Sequence, residues 1–530
     1  MTCERYFAKI SNLGMHPHGD VNPTMKELVL AIDAGTSGVR SMVFDISGSV
    51  IAKAYREFKS LHPHPSWVEQ DARTWWDTAC KTISECLKTM SQSAENIASI
   101  SVTNQRETIV PIDENGSPLR NAIVWQDRRT SPQCDWIKER IGVDDIYNET
   151  GLTIDPYFSG PKILWIKEEE PDIFKKTSKF LLVHDYLLFR LTGLTVTDYS
   201  NASRTMLFGL DSADWSDAIL DQLEIPKEKL PDIVQSGLQV GEVSTKAAKE
   251  TGLLASTPVV AGGGDQQCAA LGVGVVKPGR IKSTTGTGTF MLAFSKEPRL
   301  DSKRRVLCSH HVVPDSFVIE ASMFTTGSAL RWFRDNLAVE EYNFAVEHDM
   351  DPYDVMTDAA KHVPAGSEGV MHIPHFVGAG APYWNPHARG VFAGLSLGHG
   401  RNHLMRAILE GVGYEIRTNL DIMQDLGIPT AEMRVTGGAS RSDVWMQIQA
   451  DILNIPVITT EMEEATAVGA AILACKGIGI FKSVAEAAEE MIRINPPIKP
   501  LSEHREVYDR SYERYRELYA AIANIRWATN

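Results

Sequence analysis

A chain of 530 residues is longer than one hydrophobic core usually organises, so two domains of ordinary large size are expected. Its formal net charge of −15 argues against nucleic-acid binding, which needs a basic face. No run approaches the ~18 consecutive apolar residues of a bilayer span, which argues against a membrane protein. The seven cysteines are scattered and never spaced CxxC, which points to reduced thiols in a cytoplasmic protein.

Residues 1–26 carry neither an apolar signal core nor an Arg-rich amphipathic pattern, and read as a loose extension. From Leu28 the pattern turns to strands, at Leu28–Ile32, Ser41–Phe44 and Val50–Ala54. Trp75, Ala79, Ile83, Leu87 and Met90 fall at helical spacing, with Asp71 placed to cap the start. A buried strand follows at Ile97–Val102. The second half opens the same way. Strands at Lys282–Thr285 and Phe290–Phe294 flank a Gly-Thr-Gly turn, and a further strand, Ser316–Ile319, leads to a helix near 327–337. A long helix around 403–424, a strand at Glu432–Val435 and helices from Asp443 and Ala465 complete it. Two α/β halves of the same kind are expected to meet near residue 275, as domains over 27–274 and 275–530.

Three glycine-rich turns follow strands: Asp33–Gly38, Thr285–Gly288 and Thr436–Ala439. Small residues let backbone N–H groups approach phosphate oxygens, and Thr or Ser hydroxyls add donors. Each turn alone would be an ordinary tight turn, but together they suggest a nucleotide site. Walker A, GxGxxG and protein-kinase signatures are absent. Asp33, at the first strand's end, suits a carboxylate orienting hydrated Mg²⁺, or simply a turn aspartate.

On the acceptor side, Asp265 stands where the buried run Pro258–Gly264 breaks into glycines, a place for a general base or for a helix N-cap. Arg106 and Glu107 sit in a polar burst after Val102. They could bind vicinal hydroxyls, or form a surface ion pair. Trp125 and Tyr157 could line a cleft or pack in a core. His62, His64, His310 and His311 have no spacing that completes a metal shell.

These blocks resemble the FGGY carbohydrate-kinase family, and within it the glycerol kinases. The likeness rests on Ala31–Ser37, Thr103–Thr108, Asn121–Thr130, Thr150–Gly160, Thr197–Phe208, Gly264–Gln267, Gly286–Gly288, Gly380–Trp384 and Thr436–Ala439. The resemblance implies two actin-like (ribonuclease H-like) ATPase domains with a cleft between them, and ATP-dependent phosphorylation of glycerol to glycerol 3-phosphate with Asp265 as base. It implies polyol contacts from Arg106, Glu107, Trp125, Tyr157, Asp265, Gln266 and Phe290. Nucleotide contacts would come from Thr36, Ser37, Arg40, Gly286, Thr287, Gly327, Arg331, Gly437, Gly438 and Ser442, with Mg²⁺ at Asp33. Assembly as a dimer or tetramer is also implied.

Departures keep alternatives open. Gly262–Gly264 and Leu271–Gly274 look more like xylulokinase relatives, Arg331 replaces a usual Gln and Ser442 a usual Asn. The loop that binds fructose bisphosphate in some relatives has no counterpart near 246–257. A kinase of another polyol or ketose, such as erythritol or xylulose, is the alternative. A nucleotide-driven scaffold of the actin or Hsp70 kind is the remote one.

Overall fold

The computed structural model describes residues 28–525 and 527. The loose extension expected over residues 1–26 lies outside the described residues. Two six-stranded mixed sheets organise the rest. The first contains β1 (Leu28–Ala34), β2 (Gly38–Asp45), β3 (Val50–Glu57), β4 (Ile97–Asn104), β5 (Gln239–Glu242) and β6 (Pro258–Gly264), in the order β5-β6-β4-β1-β2-β3. The second contains β7 (Gly279–Thr285), β8 (Thr289–Ser295), β9 (Leu307–His310), β10 (Phe317–Met323), β11 (Thr430–Thr436) and β12 (Val457–Thr459), in the order β9-β10-β8-β7-β11-β12.

The two sheets share a plan. Strands β3, β2 and β1 are antiparallel neighbours, and β1 then runs parallel to β4 and β4 to β6. Likewise β10, β8 and β7 are antiparallel, and β7 runs parallel to β11 and β11 to β12. The Gly-Thr turns joining β1 to β2 and β7 to β8 therefore occupy matching places.

The helices that position the site are α1 (Ala72–Thr89), α2 (Asp265–Gly272), α3 (Gly327–Asn336), α4 (Arg401–Asp425), α5 (Asp443–Leu453), α6 (Ala465–Gly477) and α7 (Arg505–Ile522). Asp71 caps α1 by accepting the Arg73 N–H, and Trp75, Ala79 and Ile83 are buried as their spacing requires. Two strands run further than the sequence pattern suggested. β10 continues past Ile319 to Met323 because β8 pairs with it along its whole length. β6 continues through Gly262–Gly264 rather than breaking there. A Cβ on Gly262 would lie 1.9 Å from the Val102 carbonyl, so close strand packing, not flexibility, selects glycine.

The halves interlock through two helices. α6, from the second half of the chain, packs on β1, β4 and β6 of the first sheet and against α2. One apolar core thus contains Val29 and Ala31 of β1, Cys268–Leu271 of α2, Leu292 and Phe294 of β8, and Ala470–Cys475 of α6. α2 and α6 approach at two glycines. A Cβ on Gly272 would lie 1.9 Å from the Ala465 carbonyl, and one on Gly469 would lie 1.9 Å from the Cys268 carbonyl. Among the described residues no helix is long and apolar enough to cross a membrane. Gly469→Ala should destabilise the protein by about 1–3 kcal/mol through overpacking, read as a lower urea midpoint with an unchanged slope.

Candidate active site

β4 ends at Asn104, and the chain then folds back sharply through Gln105–Thr108. The Thr108 N–H donates to the Arg106 carbonyl at 2.8 Å, with Glu107 at φ 64°. This is a strained, positive-φ γ-turn on a non-glycine residue, a geometry that persists only when its surroundings enforce it. Ser159 Oγ and Lys162 Nζ do so, each donating to the Glu107 carbonyl at 3.1 Å. The turn drives both side chains inward. Arg106 and Glu107 are each 1% exposed and lie 3.7 Å apart, so the surface ion pair that their types alone suggested is not what forms.

Around them lies a cavity of about 60 Å³. Its wall contains Arg106, Glu107, Trp125, Tyr157, Asp265, Gln266 and Phe290, together with Thr36 and Gln105. Trp125 and Tyr157 meet edge to face at 5.6 Å, and the Trp125 indole N–H donates to Thr36 Oγ1 at 2.9 Å. The first glycine-rich turn is thereby tied to the cavity wall.

Asp265 is the first residue of α2. Gly264 occupies the N-cap position, so the capping role open to Asp265 is not used. Its Oδ1 accepts the Gln266 N–H at 2.7 Å and lies 3.5 Å from Arg106 Nε. Burial raises its pKa, against the pull of Arg106 and Lys282. Asp33, next to last in β1, is pushed up to about 7 by burial, which outweighs Arg40 3.9 Å away.

A second cavity of about 440 Å³ is lined by Gly286, Thr287, Gly327, Arg331, Gly438, Ser442 and neighbours on α3 and α5. A third, of about 710 Å³, shares Trp125, Tyr157, Gln266 and Phe290 with the small cavity and Gly286 and Thr287 with the second. The three form one cleft. Gly437 stands behind it: a Cβ there would lie 2.6 Å from the Thr285 carbonyl, and its φ is 88°. Ser442 also caps α5 by accepting the Trp445 N–H. Ser37 and Arg40 line none of the three cavities. Ser37 is exposed, and Arg40 lies over the Tyr55 ring, 5.3 Å from its centroid. His310 and His311 bond to the Leu210 and Val275 carbonyls, and no His, Cys, Asp and Glu group able to hold a metal occurs among the described residues.

The N-terminal-domain model of the FGGY family of carbohydrate kinases matches residues 28–272, and its C-terminal-domain model matches residues 281–478. The chain belongs to the FGGY family. Glycerol kinase 2 of Thermotoga maritima is 38% identical over 510 residues, 94% of this chain and 99% of the relative. A glycerol kinase of Escherichia coli is 38% identical over 481 residues, 88% of this chain and 93% of the relative. Among solved structures, xylulose kinase from Rhodospirillum rubrum matches with a TM-score of 0.87 at 30% identity, covering 94% of this chain and 99% of that one. Plasmodium falciparum glycerol kinase with ADP matches with a TM-score of 0.83 at 26% identity, covering 93% and 98%. The two halves of this FGGY kinase are therefore actin-like (ribonuclease H-like) α/β domains, and the chain is a phosphotransferase acting on an alcohol group rather than a scaffold.

Beneath the small cavity lies a buried charge cluster that the sequence pattern did not reveal. Glu320, in the middle of β10, takes a bidentate pair from Arg106 at 2.8 and 3.1 Å and lies 3.5 Å from Arg204. Arg204 Nε donates to Glu107 at 2.7 Å, and Arg106 also donates to Gln267 at 3.1 Å. Burial opposes the Glu320 charge, yet Arg106 and Arg204 outweigh it and hold its pKa at about 2. A charge inside a mainly apolar strand was the available signal for Glu320 in β10; β7, Gly-Arg-Ile-Lys-Ser-Thr-Thr, is largely polar and gave no such signal for Lys282. Glu320→Gln would leave two buried guanidinium groups short of an anion. We expect a loss of about 3–5 kcal/mol, measurable by urea denaturation.

Proposed function

We propose that the protein transfers the γ-phosphoryl group of ATP to glycerol, giving glycerol 3-phosphate and ADP. The observation that carries this reading is the cavity of about 60 Å³, room for only a few water-sized groups. Its wall combines a paired Arg and Glu for hydroxyls, aromatic faces for carbon, and a carboxylate beside an amide. In this reading Arg106 and Glu107 bind two hydroxyls, Trp125, Tyr157 and Phe290 pack on the carbon chain, and Gln266 orients the third hydroxyl. Residues 27–274 then supply the acceptor and the first phosphate turn, and residues 275–530 hold the nucleotide.

Asp265 accepts the proton of the attacking hydroxyl as its oxygen bonds to phosphorus and the bond to ADP breaks. Arg106 and Lys282 favour its ionised form, against burial, which raises its pKa. Gly286, Thr287, Gly327, Arg331, Gly438 and Ser442 form the nucleotide wall, with Gly437 supporting it, and Thr36, Ser37 and Arg40 meet the triphosphate when the cleft closes. Asp33 fits a cation: it stands at the end of β1 beside the first glycine-rich turn, burial and the neighbouring Asp265 charge push its pKa up to about 7, and such a carboxylate suits hydrated Mg²⁺ held largely through phosphates. When bound, Mg²⁺ would neutralise phosphate charge. The glycerol kinases among the relatives favour glycerol. The match to xylulose kinase and the adjoining cavity of about 710 Å³ support a larger ketose as the second reading.

A coupled ADP assay with Mg²⁺ and equal concentrations of glycerol, erythritol, xylulose and ribulose tests this. Glycerol should give the highest kcat/KM, and preference for a ketose would overturn the assignment. Asp265→Asn should lower kcat by about 10²- to 10⁴-fold while nucleotide affinity, followed with a fluorescent ADP analogue, is retained. Because burial raises the pKa of Asp265 and the base must be unprotonated, kcat/KM should fall as pH drops through a value above the usual aspartate range. A profile flat down to the ordinary aspartate pKa would remove Asp265 as the base.

A further inference from the structure

Lys282 is the fourth residue of β7 and stands four residues before Gly286, yet its side chain is fully buried between the two sheets. An ammonium is stable there only with acceptors or anions around it. Its Nζ donates to the side-chain carbonyl of Gln266, and the charged groups facing it are Glu320, Asp265 and Arg106. Gln266 in turn donates its backbone N–H to Asp265 Oδ1 at 2.7 Å. A chain of contacts therefore runs from Lys282 of β7 to the Gln266 side chain, and from the Gln266 backbone to the Asp265 carboxylate. Lys282 lines none of the three cavities, whereas Thr284 and Gly286 of the same strand and turn do.

The chemistry of these contacts fixes their direction. Burial lowers the Lys282 pKa to about 7 against the pull of Glu320 and Asp265, and in either protonation state its Nζ can donate to the amide oxygen of Gln266, which leaves the NH₂ free to face the acceptor cavity. A neutral, apolar side chain in its place would remove the contact from β7 that orients the amide. Resting on the polyol-kinase reading above, we propose that Lys282 is a positioning residue that reaches across from the nucleotide-side sheet to hold Gln266, and through it Asp265, in the orientation that receives the acceptor hydroxyl. The acceptor site is then complete only when the strand carrying the nucleotide turn is in place. Acceptor and nucleotide should accordingly tighten each other's binding, since coupling between two sites is reciprocal.

The test compares Lys282→Met, Lys282→Arg, Gln266→Leu and the Lys282→Met/Gln266→Leu double variant in the coupled ADP assay, using the acceptor the wild type prefers. Fluorescent ADP analogue titrations are run with and without that acceptor. Lys282→Met should lower kcat by about 10- to 100-fold and abolish the tightening of nucleotide binding by acceptor, while affinity without acceptor is unchanged. Lys282→Arg should recover part of the loss. The double variant should be no worse than its worse parent, because one residue acts through the other. Wild-type kinetics in Lys282→Met, or losses that multiply in the double variant, would overturn the inference. Should Lys282→Met not fold, Lys282→Gln supplies the same comparison. If the wild type phosphorylates no acceptor, the functional reading falls and this inference with it; an active wild type beside an unaffected Lys282→Met sinks the inference alone.

Discussion

The guanidinium of Arg106 is held from two sides. One nitrogen lies 3.5 Å from Asp265 at the mouth of the small cavity, and the other two are taken by Glu320 of the opposite sheet. A desolvated arginine keeps its charge only beside fixed anions, so the turn after β4 adopts its inward course because β10 crosses beneath it. Glu107 is placed by the same constraint. Its strained backbone is secured by Ser159 and Lys162, and its carboxylate by Arg204, which also leans on Glu320. The small cavity is thus a product of both halves of the molecule, although most of its wall comes from the first.

The interlocked helices make that arrangement durable. α2 carries Asp265 and Gln266 at its first turn and Gly272 at its last, where it presses on the start of α6. α6 in turn lies across β1, whose end presents Asp33, and β4, whose end leads to Arg106. Close helix contact therefore sets the depth at which carboxylates enter the cleft. Glycine is required at the crossing because any side chain would push the proposed base away from the arginine beside it.

Much of this was legible before folding. Apolar alternation and caps marked the strands and α1, and glycine with threonine after each leading strand marked the two matching turns. Arg106, Glu107, Trp125, Tyr157 and Asp265 stand out because each follows a strand or sits among polar and turn residues, where side chains are presented to a cleft, whereas Gln266 and Phe290 are marked as contacts only by the family resemblance. Two kinds of residue escaped. Glu320 interrupts a mainly apolar strand and Lys282 lies in a largely polar one, and in both a local pattern reads the charge as a strand end or a solvated face. Gly262 read as flexible because the Val102 carbonyl that excludes a Cβ there lies on β4, about 160 positions away in the chain.

By itself, the sequence determined the class of fold, the repeated strand–turn–strand openings and the residue types offered to an acceptor and to phosphates, because these depend on periodicity and on the chemistry of neighbours in the chain. Only the tertiary structure decided that Arg106 and Glu107 are buried partners rather than a surface pair, that Asp265 leaves the helix cap unused, and that Lys282 reaches Gln266. Those outcomes depend on which charges are desolvated together. Desolvation is a property of the packed sheets, and the parallel pairing of β1 with β4 and of β7 with β11 brings together residues that no local window contains.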